Sequence, residues 1–166
     1  MSGFLLWVAQ GFGLGRIPLA PGTFGSLAGL LWLLLLLKTN NLWVLLGGIA
    51  LGLALSVWLC SVAERILNLK DASSIVFDEI AAVPICFLPW LIAAWCRTTH
   101  LLPAEELLRP PGIYSMLALF ALFRVFDIAK VWPAAILERW PAGWGITADD
   151  VLAAVYVSLL SLFFVL

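Results

Sequence analysis

Charge is scarce in this sequence. Asp, Glu, Lys and Arg make up 11% of its 166 residues and nearly cancel, leaving a formal net charge of -1. No basic surface exists on which a nucleic acid could release its counterions, so that class of partner is excluded. Histidine occurs once, at His100, which argues against a histidine nucleophile or a histidine acid and base pair. The cysteines are three, Cys60, Cys86 and Cys96. They sit in or beside apolar runs without metal-ligand spacing and read as small buried hydrophobes. Cys60 and Arg65 are one position too close for the loop of cysteine phosphatases, and no DxD pair offers an aspartyl-phosphate route. The opening MSGFLLWVAQ has neither a basic n-region nor a cleavage signature, and is not read as a removable signal.

What the sequence has instead is apolar length. Hydrophobic residues make up 64% and the mean hydropathy is +1.10, against roughly 45–50% apolar residues in an ordinary soluble domain. The bilayer, not water, is the main solvent. The apolar runs extend from end to end, so 1–166 reads as a single membrane-embedded domain. A helix needs about 20 apolar residues to cross about 30 Å of hydrocarbon. Five stretches are candidates: 24–37, 42–63, 80–95, 113–126 and 151–166. Only the second is amply long, and the third carries Pro84 and Pro89, which kink it. The expected fold is an all-α integral membrane bundle of four to five transmembrane helices.

Residues 38–41 suit the tight turn of a helical hairpin, and 103–112, with three prolines, reads as a loop. Five crossings put the N-terminal segment, 64–79 and 124–150 on one side. That side holds Arg16, Arg65, Lys70, Arg124, Lys130 and Arg139, against Lys38, Arg97 and Arg109 opposite. The positive-inside rule makes it cytoplasmic and sends the C-terminus to the other side.

Four clusters on that side carry chemistry. In GFGLGRIPLAPGTFGSL, Thr23 or Ser26 can cap a following helix, whose free amides, with Arg16 nearby, suit a phosphate. A membrane-entry loop with glycines for close packing explains the same residues equally well. In KDASSIVFDEI, Asp78 and Glu79 stand at the mouth of the third run, where carboxylates need a polar cavity, a partner or a metal. Asp71 reads as a helix cap with Ser74. FRVFDIAK spaces Arg124, Asp127 and Lys130 by three on one helical face, as an ion-pair ladder or an anion site. GWGITADDV offers Thr147 as N-cap with Asp150 three residues on, a capping box that leaves Asp149 unexplained.

Asp78, Glu79, Asp127, Asp149 and Asp150 together supply the hard oxygens that Mg2+ prefers, and magnesium commonly bridges carboxylates to a phosphate. A phosphoryl-transfer site with metal-activated water is the economical inference. An ion path through a small transporter or channel subunit is the rival from another class. It requires polar residues at mid-membrane depth, whereas here they gather at helix ends on one side.

Taken in order, GFGLGRIPLAPGTFGSLAGL, IVFDE, FRVFDIAK followed by WP, and GWGITADDV resemble the bacterial phosphatidylglycerophosphatase A family, from Gly11 to about Ala154. The resemblance implies a magnesium-dependent membrane enzyme that converts phosphatidylglycerophosphate to phosphatidylglycerol at the cytoplasmic face of the inner membrane. It implies Asp78, Glu79, Asp127, Asp149 and Asp150 as catalytic and metal-binding carboxylates, with Arg16, Thr23, Arg124 and Lys130 as phosphate partners. Another anionic lipid phosphate stays open as substrate. The chain departs from the family's usual Pro, Pro and Met at Ala72, Val131 and Thr147, none of which removes a charge.

Overall fold

The structure, a computed structural model, describes residues 2–164. Met1, the last two residues of the 151–166 stretch, and with them the C-terminus, lie outside the described residues. Within these bounds the chain forms helices and no strand. Helix α1 (Ser2–Ala9) leads through a 3-10 stretch, Gly11–Arg16, into α2 (Pro21–Leu37), and α3 (Leu42–Leu67) follows. A kinked unit comprises α4 (Phe77–Ala82), a 3-10 segment (Val83–Phe87) and α5 (Leu88–Thr98). The short α6 (Ala104–Leu107) precedes α7 (Gly112–Ala129), and the short α8 (Ala134–Leu137) precedes α9 (Gly143–Ser161).

Among the described residues, four helical stretches are long and apolar enough to cross a membrane: Leu42–Leu67, Phe77–Thr98, Gly112–Ala129 and Gly143–Ser161. Helix α2 has 17 residues, about 25 Å at 1.5 Å per residue, and falls short of the hydrocarbon thickness. It still runs between the same two ends of the bundle. Gly22 abuts Glu79 and Arg124 at one end, and Asn40, just past the other, meets His100 and Leu101. The five apolar stretches therefore alternate in direction, four of them at full span length.

Local chemistry explains the turns. Asn41 starts α3 by accepting from the amides of Trp43 and Val44 at 2.9 and 3.2 Å, and Asn68 ends it in the left-handed region. Pro84 and Pro89 withhold amide hydrogens from the preceding turns, and the helix tightens to 3-10 geometry between α4 and α5.

Helix α9 and the α4–α5 unit are half buried along their apolar windows, whereas only 17% of the α7 window is buried. The first two form the centre, with α9 packed on α3, α7 and the 3-10 segment. Leu33, Leu45, Phe87, Leu91, Phe123 and Val157 fill the main core. A second cluster, including Ala9, Leu59, Cys60 and Ile146, seats α1 on α3 at the other end. Leu31, Leu51, Leu117, Val125 and Leu159 remain exposed, as a surface facing lipid tails permits.

Several expectations need correction. Thr147 is not an N-cap: α9 begins at Gly143, and the Thr147 hydroxyl shares a 2.8 Å buried hydrogen bond with Ser56. The earlier start follows from Gly143 and Gly145, whose bare backbones pass close to the carbonyls of Val57 and Glu138. Neither Thr23 nor Ser26 caps α2. The N-cap is Ala20, and Ser26 turns its hydroxyl to the Gly22 carbonyl at 2.9 Å. Asp71 lies in a turn and pairs with Lys130 rather than capping a helix. The ladder stops at Asp127, because α7 ends at Ala129 and Lys130 adopts a left-handed conformation beyond it. The 103–112 loop includes the short α6. Cys60 and Cys86 are buried as expected, but Cys96 is exposed.

Candidate active site

The first turns of α2 and α4, the last turn of α7 and the second turn of α9 converge on a cavity of about 260 Å³. It is lined by the carboxylates of Asp71, Asp78, Glu79, Asp127, Asp149 and Asp150, and by the cations Arg124 and Lys130. Glycine makes this convergence possible. A Cβ on Gly22 would strike Glu79 Oε1 and come within 2.9 Å of Arg124 Nη2, and one on Gly25 would strike Glu79 Oε2. Asp78 and Glu79 stand in the first turn of α4, where the helix dipole favours negative charge. Asp78 Oδ1 accepts the Glu79 amide at 3.0 Å.

Arg124 is the hub. Its Nη1 reaches Glu79 Oε1 at 2.8 Å, Asp127 Oδ2 at 2.6 Å and Ser26 Oγ at 3.3 Å. Lys130 stands at the rim, with Nζ 3.1 Å from Glu138, 3.1 Å from Asp149 and 3.5 Å from Asp71. Partial burial opposes its charge, but the hydrogen bonds to Glu138 and Asp149 outweigh that and hold the ammonium above the usual lysine range. Asp78, Asp149 and Asp150 are buried to within a few per cent.

Buried polar atoms normally find partners, and each one that does not costs about 1–3 kcal/mol. Among the described residues three buried side-chain atoms have none: Glu79 Oε2, Asp150 Oδ2 and Arg124 Nε. All three belong to residues lining this cavity. Two are anionic acceptors and one is a cationic donor, so the set suits a cation and an anion together. No three carboxylate, His or Cys side chains among the described residues stand close enough to form a ready-made metal cluster. The donor set is nonetheless all hard oxygen and fits magnesium in kind.

Seven sequence-predicted residues thus meet at one cavity: Asp78, Glu79, Arg124, Asp127, Lys130, Asp149 and Asp150. Arg16 and Thr23 do not line it. Arg16 is exposed and donates from Nε to Gln10 Oε1 at 2.8 Å. The Gly11–Arg16 stretch packs on the 68–76 loop instead: Gln10 Nε2 reaches Ser74 Oγ at 3.2 Å, and Gly15 passes against the Ser74 carbonyl. Close packing therefore accounts for Gly15, Gly22 and Gly25. Sequence reasoning missed Ser26 and Glu138 as site neighbours and took Asp71 for a cap. The only signal for Glu138 was a charged pair, Glu138 and Arg139, soon after the Trp-Pro pair.

The sequence profile of the family described as Phosphatidylglycerophosphatase A matches residues 7–165. The chain belongs to this family. Its relatives include the phosphatidylglycerophosphatase A of Haemophilus influenzae, 36% identical over 90% of this chain and 81% of the relative. That of Escherichia coli K12 is 33% identical over 89% and 76%. A Bacteroides thetaiotaomicron protein named "Putative phosphatidylinositol-3-phosphatase" is 32% identical over 92% and 88%. No solved structure matches the chain. As a member of the phosphatidylglycerophosphatase A family the chain is a phosphoric monoester hydrolase. The ion-path reading is set aside with it, and the cavity gathers six carboxylates and two cations.

Proposed function

We propose that this protein removes the terminal phosphate of phosphatidylglycerophosphate, giving phosphatidylglycerol, in a magnesium-dependent reaction at the cytoplasmic face of a bacterial inner membrane. The observation that carries the reading is the trio of partnerless buried atoms around one cavity, two carboxylate oxygens and a guanidinium nitrogen. Charge supports it. Six carboxylates face two cations in the lining, so a phosphate dianion is repelled unless further positive charge enters with it.

Asp78, Glu79 and Asp150, with Asp127 and Asp149 beside them, are the residues that would hold the metal. Bound magnesium supplies charge on the phosphoryl oxygens and lowers the pKa of coordinated water. The chain does the rest. Glu79, Asp127 and Ser26 fix the Arg124 guanidinium, so its remaining nitrogens present a fork for phosphate oxygens without further ordering. Lys130 offers a second cation at the rim. The depth of Asp78 and Asp150 keeps bulk water out and strengthens each of these contacts.

A second reading, a phosphatase of another anionic lipid phosphate, is favoured by the inositol-lipid name of the Bacteroides relative. One assay separates the two: phosphate release by the purified protein, with magnesium and with chelator, from phosphatidylglycerophosphate, phosphatidylinositol 3-phosphate and phosphatidic acid. Preference for the first substrate and silence in chelator are expected. Undiminished turnover in chelator would falsify the metal dependence, and preference for another lipid would move the substrate assignment.

A further inference from the structure

The two cations of the cavity are held in different ways. Arg124 leaves a regular turn of α7 and is fixed by Glu79, Asp127 and Ser26. Lys130 follows the end of α7 in the left-handed region, at φ 44°, with its amide donating to the Phe126 carbonyl at 3.0 Å. That conformation is costly for a residue with a side chain, and it fixes where the stem begins. The stem itself is four flexible carbons ending in a point charge with three donors. Where the ammonium rests is therefore decided by its acceptors. Two of them, Asp71 and Asp149, line the cavity, and the third, Glu138, does not.

We propose that Glu138 is a positioning residue, which holds the Lys130 ammonium at the rim for the substrate phosphate without itself touching substrate or metal. The inference rests on the reading of Lys130 as a phosphate partner. Arrival of substrate changes the demands on the other two acceptors. Asp149 is among the carboxylates that would hold the metal, and a phosphate in the cavity competes with both Asp71 and Asp149 for the ammonium. Glu138, outside the lining, keeps its oxygen for Lys130, 3.1 Å away. The backbone fixes it there. Its amide donates to the Ala134 carbonyl at 3.0 Å just past α8, and its own carbonyl lies so close to Gly145 that a Cβ there would come within 2.5 Å of the oxygen. Gly145 and Asp149 are four residues apart on one face of α9. A single close contact thus sets Glu138 and Asp149 in register on the ammonium. The side chains of Lys130 and Glu138 are 36% and 32% exposed, and pairs so exposed add little to stability. What Glu138 contributes is place.

Steady-state kinetics of the full-length protein with magnesium test this, on whichever of the three lipids above the wild type turns over fastest, phosphatidylglycerophosphate being expected. The variants are Glu138→Gln, Glu138→Asp, Lys130→Ala and the double change Glu138→Gln with Lys130→Ala. Glu138→Gln should raise KM about tenfold, the scale of one lost charge-assisted hydrogen bond, and leave kcat within about twofold, because a grip made equally before and in the transition state affects binding alone. Glu138→Asp, which keeps the charge, should recover most of that loss. In the Lys130→Ala background Glu138→Gln should change nothing further, since its effect passes through the ammonium. The melting temperature of Glu138→Gln and its rise with magnesium should match the wild type, because Glu138 holds neither the fold nor the metal. Wild-type KM in Glu138→Gln overturns the proposal, as does an equal added loss on top of Lys130→Ala or a vanished magnesium shift. Wild-type kinetics in Lys130→Ala would overturn the reading of Lys130 as a phosphate partner, and the positioning role with it.

Discussion

At Gly22 and Gly25 the missing side chain sets how closely α2 approaches the carboxylates of the cavity, and the two positions differ in what a methyl group would meet. At Gly22 it meets only the ends of two side chains, Glu79 and Arg124. At Gly25 it also meets Val76 Cβ at 2.8 Å and the Val76 carbonyl at 3.0 Å, where backbone must yield. Gly22→Ala should therefore displace the guanidinium and cut activity about a hundredfold, the scale of a misplacement of about 1 Å, with little change in melting temperature. Gly25→Ala should lose about 1–3 kcal/mol of stability as well, as overpacking does. Phosphate release and thermal melting on both variants check this, and wild-type turnover in Gly22→Ala would remove α2 from the site. The sequence displayed these glycines but left phosphate binding and close packing equally open. Only the approach of Glu79, brought from elsewhere in the chain, distinguishes them.

Helix α9 shows how a tertiary contact moves an element's start and changes what its residues mean. TADD satisfies the local pattern of a capping box, yet the glycines before it let the helix begin a turn earlier, and Thr147 becomes a buried bridge to Ser56 on α3. Thr147→Val should thus leave the Ser56 hydroxyl with only its weak 3.8 Å contact to Cys60 Sγ and cost about 1–3 kcal/mol, while activity per folded molecule stays near normal. Asp150→Asn should behave in the opposite way. It keeps size and removes a negative charge buried among Asp78, Glu79 and Asp127, so the melting temperature should hold or rise, activity should collapse, and magnesium should no longer raise the melting temperature. Thermal melts with and without magnesium, beside turnover, separate the two variants. An active, magnesium-stabilised Asp150→Asn protein would take Asp150 out of the proposed metal site.

For the whole molecule, the alternating helices place the candidate active site at one end and the 103–112 segment at the other. Reporters inserted near Lys70 and near Glu105 should therefore lie on opposite sides of the membrane, the first in the cytoplasm. Finding both on one side would mean that the α4–α5 unit does not span. The sequence alone determined the helical membrane class, the hairpin at 38–41, the break at Pro84 and Pro89, and five of the six carboxylates that line the cavity. Apolar length, turn chemistry and the cost of charge near lipid act through neighbours in the chain or through the solvent, so they are readable without the fold. The tertiary structure alone decided the true starts of α4 and α9, the loss of the Thr147 and Asp71 caps, the exclusion of Arg16 and Thr23 from the cavity, and the place of Glu138 beside Lys130. Each of these depends on which distant backbone lies a few ångströms away, and helix packing fixes that only when the whole bundle closes.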